Sequence, residues 1–521
     1  MSIEPVAAAH AEEAAEGAEG ANARSEGARV CILARKDLRN LTRVPRMAKS
    51  LCEAGCSVVV VALRAPVEAL REMCPAVEYL EVTPRPSTGK LLYLANRRLL
   101  AQRNGRSRRE KKRARLMARG GWRALALRAA DVALSGIRRA AALARGFFFI
   151  APCALMLKKR EQGFLASWRD LRREETAAVL AHFLRALHQW ALTHAFAEAA
   201  DKATRDRSFD LVQAHDNYAL AAAARLAARD RAKLVYDAVE LSSHRLALDL
   251  SFFERVRERL ERREEAVIFR RADRVITIGD GVADWYYRHY AVPRPLVVRN
   301  CRYYWPQAVD GRLRADAGVA PGAPLVVWFG GIYPQQGIGA LLKAMPFLAP
   351  NIHLAIVAYV LPRWVSYVEE ELPKRAAALG IAERVHILPP RDPNDLVPYV
   401  SGADLGVIPR PSEHLANFLG MPNKLFEMVM ARLPIAVSRL GDVVTIVKDL
   451  GIGEVFDERD PEDIAAVIER MLEPATYAGL KARVAAAALE LNWEKESARY
   501  LAAVRALLES GGKGRSAIGE G

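Results

Sequence analysis

Arg29-Val30-Cys31-Ile32-Leu33-Ala34, then Arg43 to Ala54, then Ser57-Val58-Val59-Val60-Val61-Ala62-Leu63 decide how this chain folds. The outer two stretches are apolar runs without alternation, the pattern of strands buried on both faces. Between them, Arg43 to Ala54 reads as a helix that stops at Gly55, a residue suited to a helix C-terminus. Strand, helix and strand within about 35 residues form a βαβ unit, which implies a parallel sheet with right-handed crossovers.

The same alternation returns further along. Asp210–Ala214, Lys233–Asp237, Arg274–Ile278 and Pro295–Asn300 read as strands, with an Ala-rich helix and a charged helix at 250–271 between them. A second series starts at Pro324–Phe329 and continues through Ile352–Val357, Val385–Leu388, Leu405–Ile408, Ile435–Ser438 and Gly453–Phe456. Helices are expected at Gly339–Met345 and Pro422–Ala431. Single cores stop growing near about 250–300 residues, so 521 residues imply two domains and extras. The fold class expected is α/β: two Rossmann-like, doubly wound parallel-sheet domains facing across a cleft. Such pairs bind ligands between them, at the carboxyl ends of the strands. The divisions are a tail at 1–28, a first domain at 29–305, a second at 306–490, a last helix at 491–510 and a tail at 511–521. The linker is placed near 302–322, and a basic helical insertion at 86–205 interrupts the first domain.

Charge is unevenly distributed. Residues 85–160 carry 21 Lys and Arg against two Asp and Glu, a surplus of +19 that exceeds the +16 of the whole chain. Within 97–160 a short apolar block, Gly146 to Leu157, lies between basic flanks. It is too short to span a bilayer as a helix, which takes roughly 20 residues, but suits an interfacial segment on an anionic leaflet. An internal helix of an all-helical insertion is the plainer alternative. Nucleic-acid binding is not expected, because no stacking aromatics are interleaved with the charge. Residues 1–28 lack the apolar core of a secretory signal. The six cysteines lack zinc-like spacing and read as thiols of a reducing compartment.

Two features carry chemistry. Gly330-Gly331 directly follows a strand, and Gly337-Ile338-Gly339 opens the next helix. Such a turn lets backbone N–H groups approach a phosphate, although a ligand-free turn accounts for it too. In Pro422-Asn423-Lys424-Leu425-Phe426-Glu427, Lys424 and Glu427 share a face of the first helical turn. A lysine there neutralises a diphosphate and a carboxylate accepts ribose hydroxyls. A surface ion pair is the alternative.

The stretch 422–427, followed by Leu433-Pro434-Ile435, resembles the donor-site signature of retaining GT-B glycosyltransferases of the family 4 type. Leu38–Leu51, Gln213-Ala214-His215-Asp216, Val235–Glu240, Ala272–Thr277, Val298-Arg299-Asn300 and Ala403–Pro409 are similar to further elements of that family, in its order. Trp493-Glu494 sits where such proteins begin a last helix that packs back on the first domain. The resemblance implies a nucleotide-sugar domain in the C-terminal half and an acceptor domain in the N-terminal half. It implies Glu427 on the donor ribose, Lys424 near the diphosphate and His215 facing the transferred sugar. Gly330 and Gly331 would lie against the nucleotide, with Asn423, Asp216, Asp237 and Glu240 as further substrate contacts. His215 also has a plain structural reading as a strand-end histidine, and His244 and Asp37 are weaker candidates. No metal and no cofactor are implied, the nucleotide-sugar being substrate.

The chain departs from the family in three places. A basic pair usual after the first strand of the second domain is replaced by Gly331 and Gln336. A glutamate usual eight residues before the ribose carboxylate is Leu419, and a histidine usual in 236–240 is Val239. Arg391, Arg410 or Arg439 is expected to supply the missing charge. The function expected is sugar transfer to a lipid-linked or polysaccharide hydroxyl acceptor, with retention. The place expected is the cytoplasmic face of the plasma membrane, reached through 97–160. The alternatives are a degenerate, non-catalytic GT-B assembly partner and a sugar-nucleotide 2-epimerase.

Overall fold

A computed structural model describes residues 27–85, 176–241 and 252–510, apart from 39, 40, 67, 69, 70, 72, 73, 291, 307 and 308. The basic stretch 97–160, its flanking residues, His244, the tail at 511–521 and all but the end of the first tail lie outside the described residues. No helix among the described residues is long and apolar enough to cross a membrane.

Two all-parallel sheets form the frame. The first contains β1 (Arg29–Asp37), β2 (Ser57–Arg64), β3 (Glu78–Glu81), β4 (Leu211–His215), β5 (Lys233–Ala238), β6 (Arg274–Thr277) and β7 (Leu296–Val297), in the order β3-β2-β1-β4-β5-β6-β7. The second contains β8 (Leu325–Ile332), β9 (His353–Val360), β10 (Val385–Leu388), β11 (Leu405–Ile408), β12 (Ile435–Ser438) and β13 (Gly453–Phe456), in the order β10-β9-β8-β11-β12-β13. In both, the order reverses beside the first strand, which opens a crevice at the carboxyl ends. The two α/β halves are as the alternation of apolar runs and helices requires.

The longer helices are α1 (Arg43–Glu53), α2 (Thr176–Ala203), α3 (Leu220–Asp230), α4 (Phe252–Arg271), α5 (Asp280–Tyr290), α6 (Ile338–Ala344), α7 (Asn423–Met430), α8 (Gly441–Asp449), α9 (Pro461–Leu472), α10 (Pro474–Glu490) and α11 (Trp493–Ser510). Each sheet is covered on both faces. Val30, Ile32, Val58 and Val60 pack on α1, whereas Cys31, Leu33 and Val212 face α2 and α3. Such burial explains why these strands are apolar at every position. The last helix, α11, crosses to the first domain: Trp493 Nε1 donates to Ser50 Oγ at 3.0 Å, and Tyr500 Oη to Gln213 Oε1 at 2.7 Å. Trp493, Tyr500 and Val504 complete the core beneath β1 and α1.

Three elements differ from the sequence reading. Strand β3 is absent from it, because a half-exposed edge strand, Glu78-Tyr79-Leu80-Glu81, has no apolar run. Strand β7 is shorter than Pro295–Asn300: beyond it the Arg299 amide donates to Glu496 Oε2 of α11 at 2.9 Å instead of to a neighbouring strand. Helix α2 falls inside the stretch 86–205 set apart as a basic insertion. Phe196, Ala197 and Ala200 of α2 are buried in the main core of the first domain, so its C-terminal half belongs to the domain itself. Its composition is apolar rather than basic, with Arg185 and Lys202 its only lysine or arginine residues.

Candidate functional site

The carboxyl ends of β8, β9 and β11 and the start of α7 surround a cavity of about 460 Å³. That is within the range of small-molecule sites, roughly 300–1,000 Å³. Gly330, Gly331, Arg391, Arg410, Asn423, Lys424 and Glu427 line it from the second domain, and Glu240, Asn300 and Arg302 line it from the first-domain side. Residues nearly 200 apart in sequence thus meet because both sheets present the same end to one cleft.

Lys424 is the centre of the arrangement. Pro422 has extended backbone and α7 starts at Asn423, so Lys424 stands on the first turn. Its Nζ donates to Gln336 Oε1 at 2.9 Å and lies 4.4 Å from the centre of the Trp328 ring. Burial, and next the neighbouring Arg410, pull its pKa down to about 7 against the opposing pull of Glu427. Gly330 has φ +122, and a Cβ on it would come 3.0 Å from Lys424 Cε. The backbone favours glycine there, and a Cβ would press on the lysine side chain. Gly337 closes the same loop with φ +82, where a Cβ would sit 1.7 Å from the carbonyl oxygen of Pro409.

The three arginines proposed as replacement charges differ sharply. Arg391 lines the cavity but is ion-paired with Asp316 and stacked 4.0 Å from the Tyr399 ring centre. Arg439 pairs with Asp457 at 3.2 Å and is not part of the lining, so it does not supply the charge. Arg410 lines the cavity, its guanidinium has no ion pair or hydrogen bond among the described residues, and its Nε is buried. Burial lowers its pKa. Tyr333 and Glu240 are the nearby groups that oppose this shift.

Glu427 is buried, and Arg302 holds it, with Nε 3.1 Å from Oε1 and Nη2 on the same oxygen. Among the described residues Oε2 takes no hydrogen bond. The neighbouring Asn423 Oδ1 accepts from Asn300 Nδ2 at 2.6 Å, and Asn300 Oδ1 accepts from Arg46 Nη2 at 2.6 Å. This relay ties α7 to α1 across the domain boundary. Glu240 is exposed at the rim.

His215, Asp216 and Asp237 are not in the cavity lining. His215 is buried, with Nδ1 2.9 Å from Asp237 Oδ2 and Nε2 without a partner. In this arrangement its ring braces the Asp237 carboxylate. Arg43 completes the group, donating to both Asp237 oxygens at 3.0 and 2.8 Å. Burial alone would raise the Asp237 carboxyl; Arg43 and His215 outweigh it and hold it well below the usual range. Asp216 pairs with Lys36 at 2.7 Å and has φ +69, a strained value for a side chain with a Cβ. Asp37 ends β1, also outside the lining.

Arg302, Asn300, Trp328, Tyr333 and Tyr359 are lining residues that motif reading did not assign. Asn300 lies within the Val298-Arg299-Asn300 element and Arg302 just beyond it, which is the only sequence signal for these five. A separate groove of about 540 Å³ lies on the first domain between α2, α3 and α4. Its charged lining residues are Glu198, Arg225, Arg263, Glu264 and Arg271.

Comparison with known proteins agrees with this architecture. Residues 323–474 match the family described as Glycosyl transferases group 1, and residues 162–301 match Glycosyltransferase Family 4. Together these cover more than half of the chain. D-inositol 3-phosphate glycosyltransferase of Acidothermus cellulolyticus is 27% identical over 193 residues, 36% of this chain and 41% of that protein. The chain thus spans less than half the length of the first curated relatives it matches. Sucrose-phosphate synthase of Thermosynechococcus elongatus shares the fold with a TM-score of 0.61 at 14% identity, over 93% of this chain and 100% of that one. Anabaena HepE, solved with UDP, gives 0.58 at 14% identity, over 92% and 100%.

Proposed function

Since the chain belongs to the GT-B glycosyltransferases of the family 4 type, we propose that it moves a sugar from a nucleotide-sugar donor to a hydroxyl acceptor, with retention. One observation carries this reading: Lys424, Arg410 and Glu427 converge with the bare backbone of Gly330-Gly331 in one cavity. As the bond from the sugar to the diphosphate breaks, negative charge grows on the leaving phosphate. Lys424 and Arg410 are the cations placed to receive it, in the role a metal serves elsewhere. Arg410 takes the place of the basic pair that Gly331 and Gln336 displace. Glu427 accepts ribose hydroxyls through its open Oε2, with Arg302 fixing Oε1. HepE, which was solved with UDP, has a related fold and supports this kind of donor.

The acceptor proposed is a lipid-linked saccharide or growing polysaccharide at the inner face of the plasma membrane, approached through the basic stretch 97–160. A second reading has its own observation: Arg302 already occupies Glu427, which suits a degenerate GT-B protein that serves as an assembly partner. Calorimetric titration with UDP, GDP and their sugars separates the two. Binding of one nucleotide that weakens at least tenfold in Arg410→Gln and Glu427→Gln supports the transferase. If no nucleotide binds, the transferase reading is wrong.

A further inference from the structure

We propose that Asp442 is a positioning residue: its carboxylate reaches across the cleft to the first turn of α5 and sets how the two domains face each other over the donor cavity. Asp442 stands on the first turn of α8, just past the carboxyl end of β12, and α5 starts just past the carboxyl end of β6. Its Oδ2 accepts from the Gly281 N–H at 2.7 Å. The first amides of a helix have no partner within it, and the positive end of the helix dipole favours a carboxylate there. Here that partner comes from the other domain. Gly279 and Gly281 make room for it. Neither has a positive φ, so the backbone does not call for glycine at either position. A Cβ on Gly279 would come 2.6 Å from Asp442 Oδ2, and one on Gly281 would come 2.9 Å from Asp442 Oδ1.

Apolar side chains cross at the same place. Ile278, next to Gly279, is buried in the core of the second domain, and Leu419 packs on the core of the first. Gly441 backs onto the Phe418 carbonyl oxygen, 2.8 Å from where its Cβ would stand. Residues 418–421 are thus held between the starts of α5 and α8, and they lead directly into Pro422 and Lys424. Moving α5 away from α8 would separate Lys424 from Glu240 on the opposite wall of the cavity. The contact is not a rigid clamp. Burial raises the Asp442 carboxyl above its ordinary range; the Gly281 N–H pulls it down, Asp280 and then Asp284 add to the rise, and Arg299 opposes them. Asp280 is itself paired with Arg294 and Arg299, at 2.8 and 3.1 Å. This role rests on the reading of the cavity as the donor site and deepens it by naming what aligns its two walls.

The test uses the full chain. Asp442→Ala removes the acceptor, and Asp442→Asn keeps an oxygen for the Gly281 amide. Without ligand, Asp442→Ala should enlarge the radius of gyration in X-ray scattering. It should also speed deuterium exchange at the first turn of α5 on the order of tenfold, with Tm and the rest of each domain close to the parent. UDP or GDP, whichever the parent binds, should bind on the order of tenfold more weakly, since a ligand touching both walls needs the aligned state. Asp442→Asn should restore all three. Gly279→Ala should loosen the parent in the same way, because its Cβ meets the carboxylate, and should add nothing in the Asp442→Ala background. If Asp442→Ala scatters and exchanges like the parent, if Asp442→Asn fails to rescue, or if Gly279→Ala still acts without the carboxylate, the role is overturned. A lower Tm with faster exchange throughout both domains marks a merely structural role and overturns it too. If the parent binds neither nucleotide, the donor-site reading falls, while scattering and exchange without ligand still decide the role of Asp442.

Discussion

Replacing Lys424 by Met should make the empty protein more stable and the donor site weaker. In the folded state Lys424 titrates near 7, whereas an unfolded lysine titrates near 10.4. Between those values the folded chain holds fewer protons than the unfolded one, so its stability rises with pH across that window. At pH 6 both states are protonated and the full penalty of burying the ammonium applies. At about 1.4 kcal/mol per pH unit of the gap, that penalty is at most about 5 kcal/mol. The side chain keeps some exposure, and methionine gives up the Gln336 hydrogen bond, worth about 1 kcal/mol, and the Trp328 contact, worth up to about 2 kcal/mol. The net expectation at pH 6 is a gain of about 1–3 kcal/mol. For a domain this size that is a rise in Tm of several degrees. By pH 9 most of the difference should be gone. Thermal and urea unfolding of the nucleotide-free protein at both pH values measure it, and UDP titration measures the loss of affinity. A variant that melts below the parent at pH 6, or by the same margin at pH 9, would refute the picture of a desolvated cation.

The same lysine predicts that affinity for a diphosphate falls roughly tenfold per pH unit between 7.5 and 9, with proton uptake on binding; calorimetry in two buffers of different ionisation heat reads it, and a flat profile counts against it. Arg43→Met leaves the Asp237 carboxylate buried with only His215, which should cost about 3–5 kcal/mol in chemical unfolding at pH 7. Because folding lowers the Asp237 pKa, its contribution is in place above about 3.9 and is lost only as pH falls through the folded value. Trp493→Ala should cost about 3–5 kcal/mol and loosen α11 from α1, seen as faster hydrogen exchange in both helices. Gly337→Ala should prevent the β8–α6 loop from closing on Pro409, with loss of nucleotide binding beyond that of Gly331→Ala, whose Cβ would meet open space.

The strands were legible because burial on both faces makes a local signal: Val58 to Val61 is apolar at every position whatever lies elsewhere in the chain. Edge strand β3 lacks that signal and was invisible. The α7 motif was legible because Lys424 and Glu427 lie on one turn. Their partners were not. Gln336 is 88 residues from Lys424, and Arg302 is 125 from Glu427, and no local pattern encodes such distances.

What the sequence by itself determined is therefore the α/β architecture, the existence of two sheets and the helix that bears the cation and carboxylate, all of them consequences of periodicity over a few residues. The tertiary structure decided which charges are free. Arg391, Arg410 and Arg439 look alike in the sequence, each just past a strand of the second domain. Only packing brings Asp316 to Arg391 and Asp457 to Arg439, and leaves Arg410 desolvated and unpaired beside Lys424. Likewise only packing turns His215 inward on Asp237. Charge availability depends on what surrounds a group in three dimensions, since water or a counter-ion can satisfy it equally well until the fold excludes both.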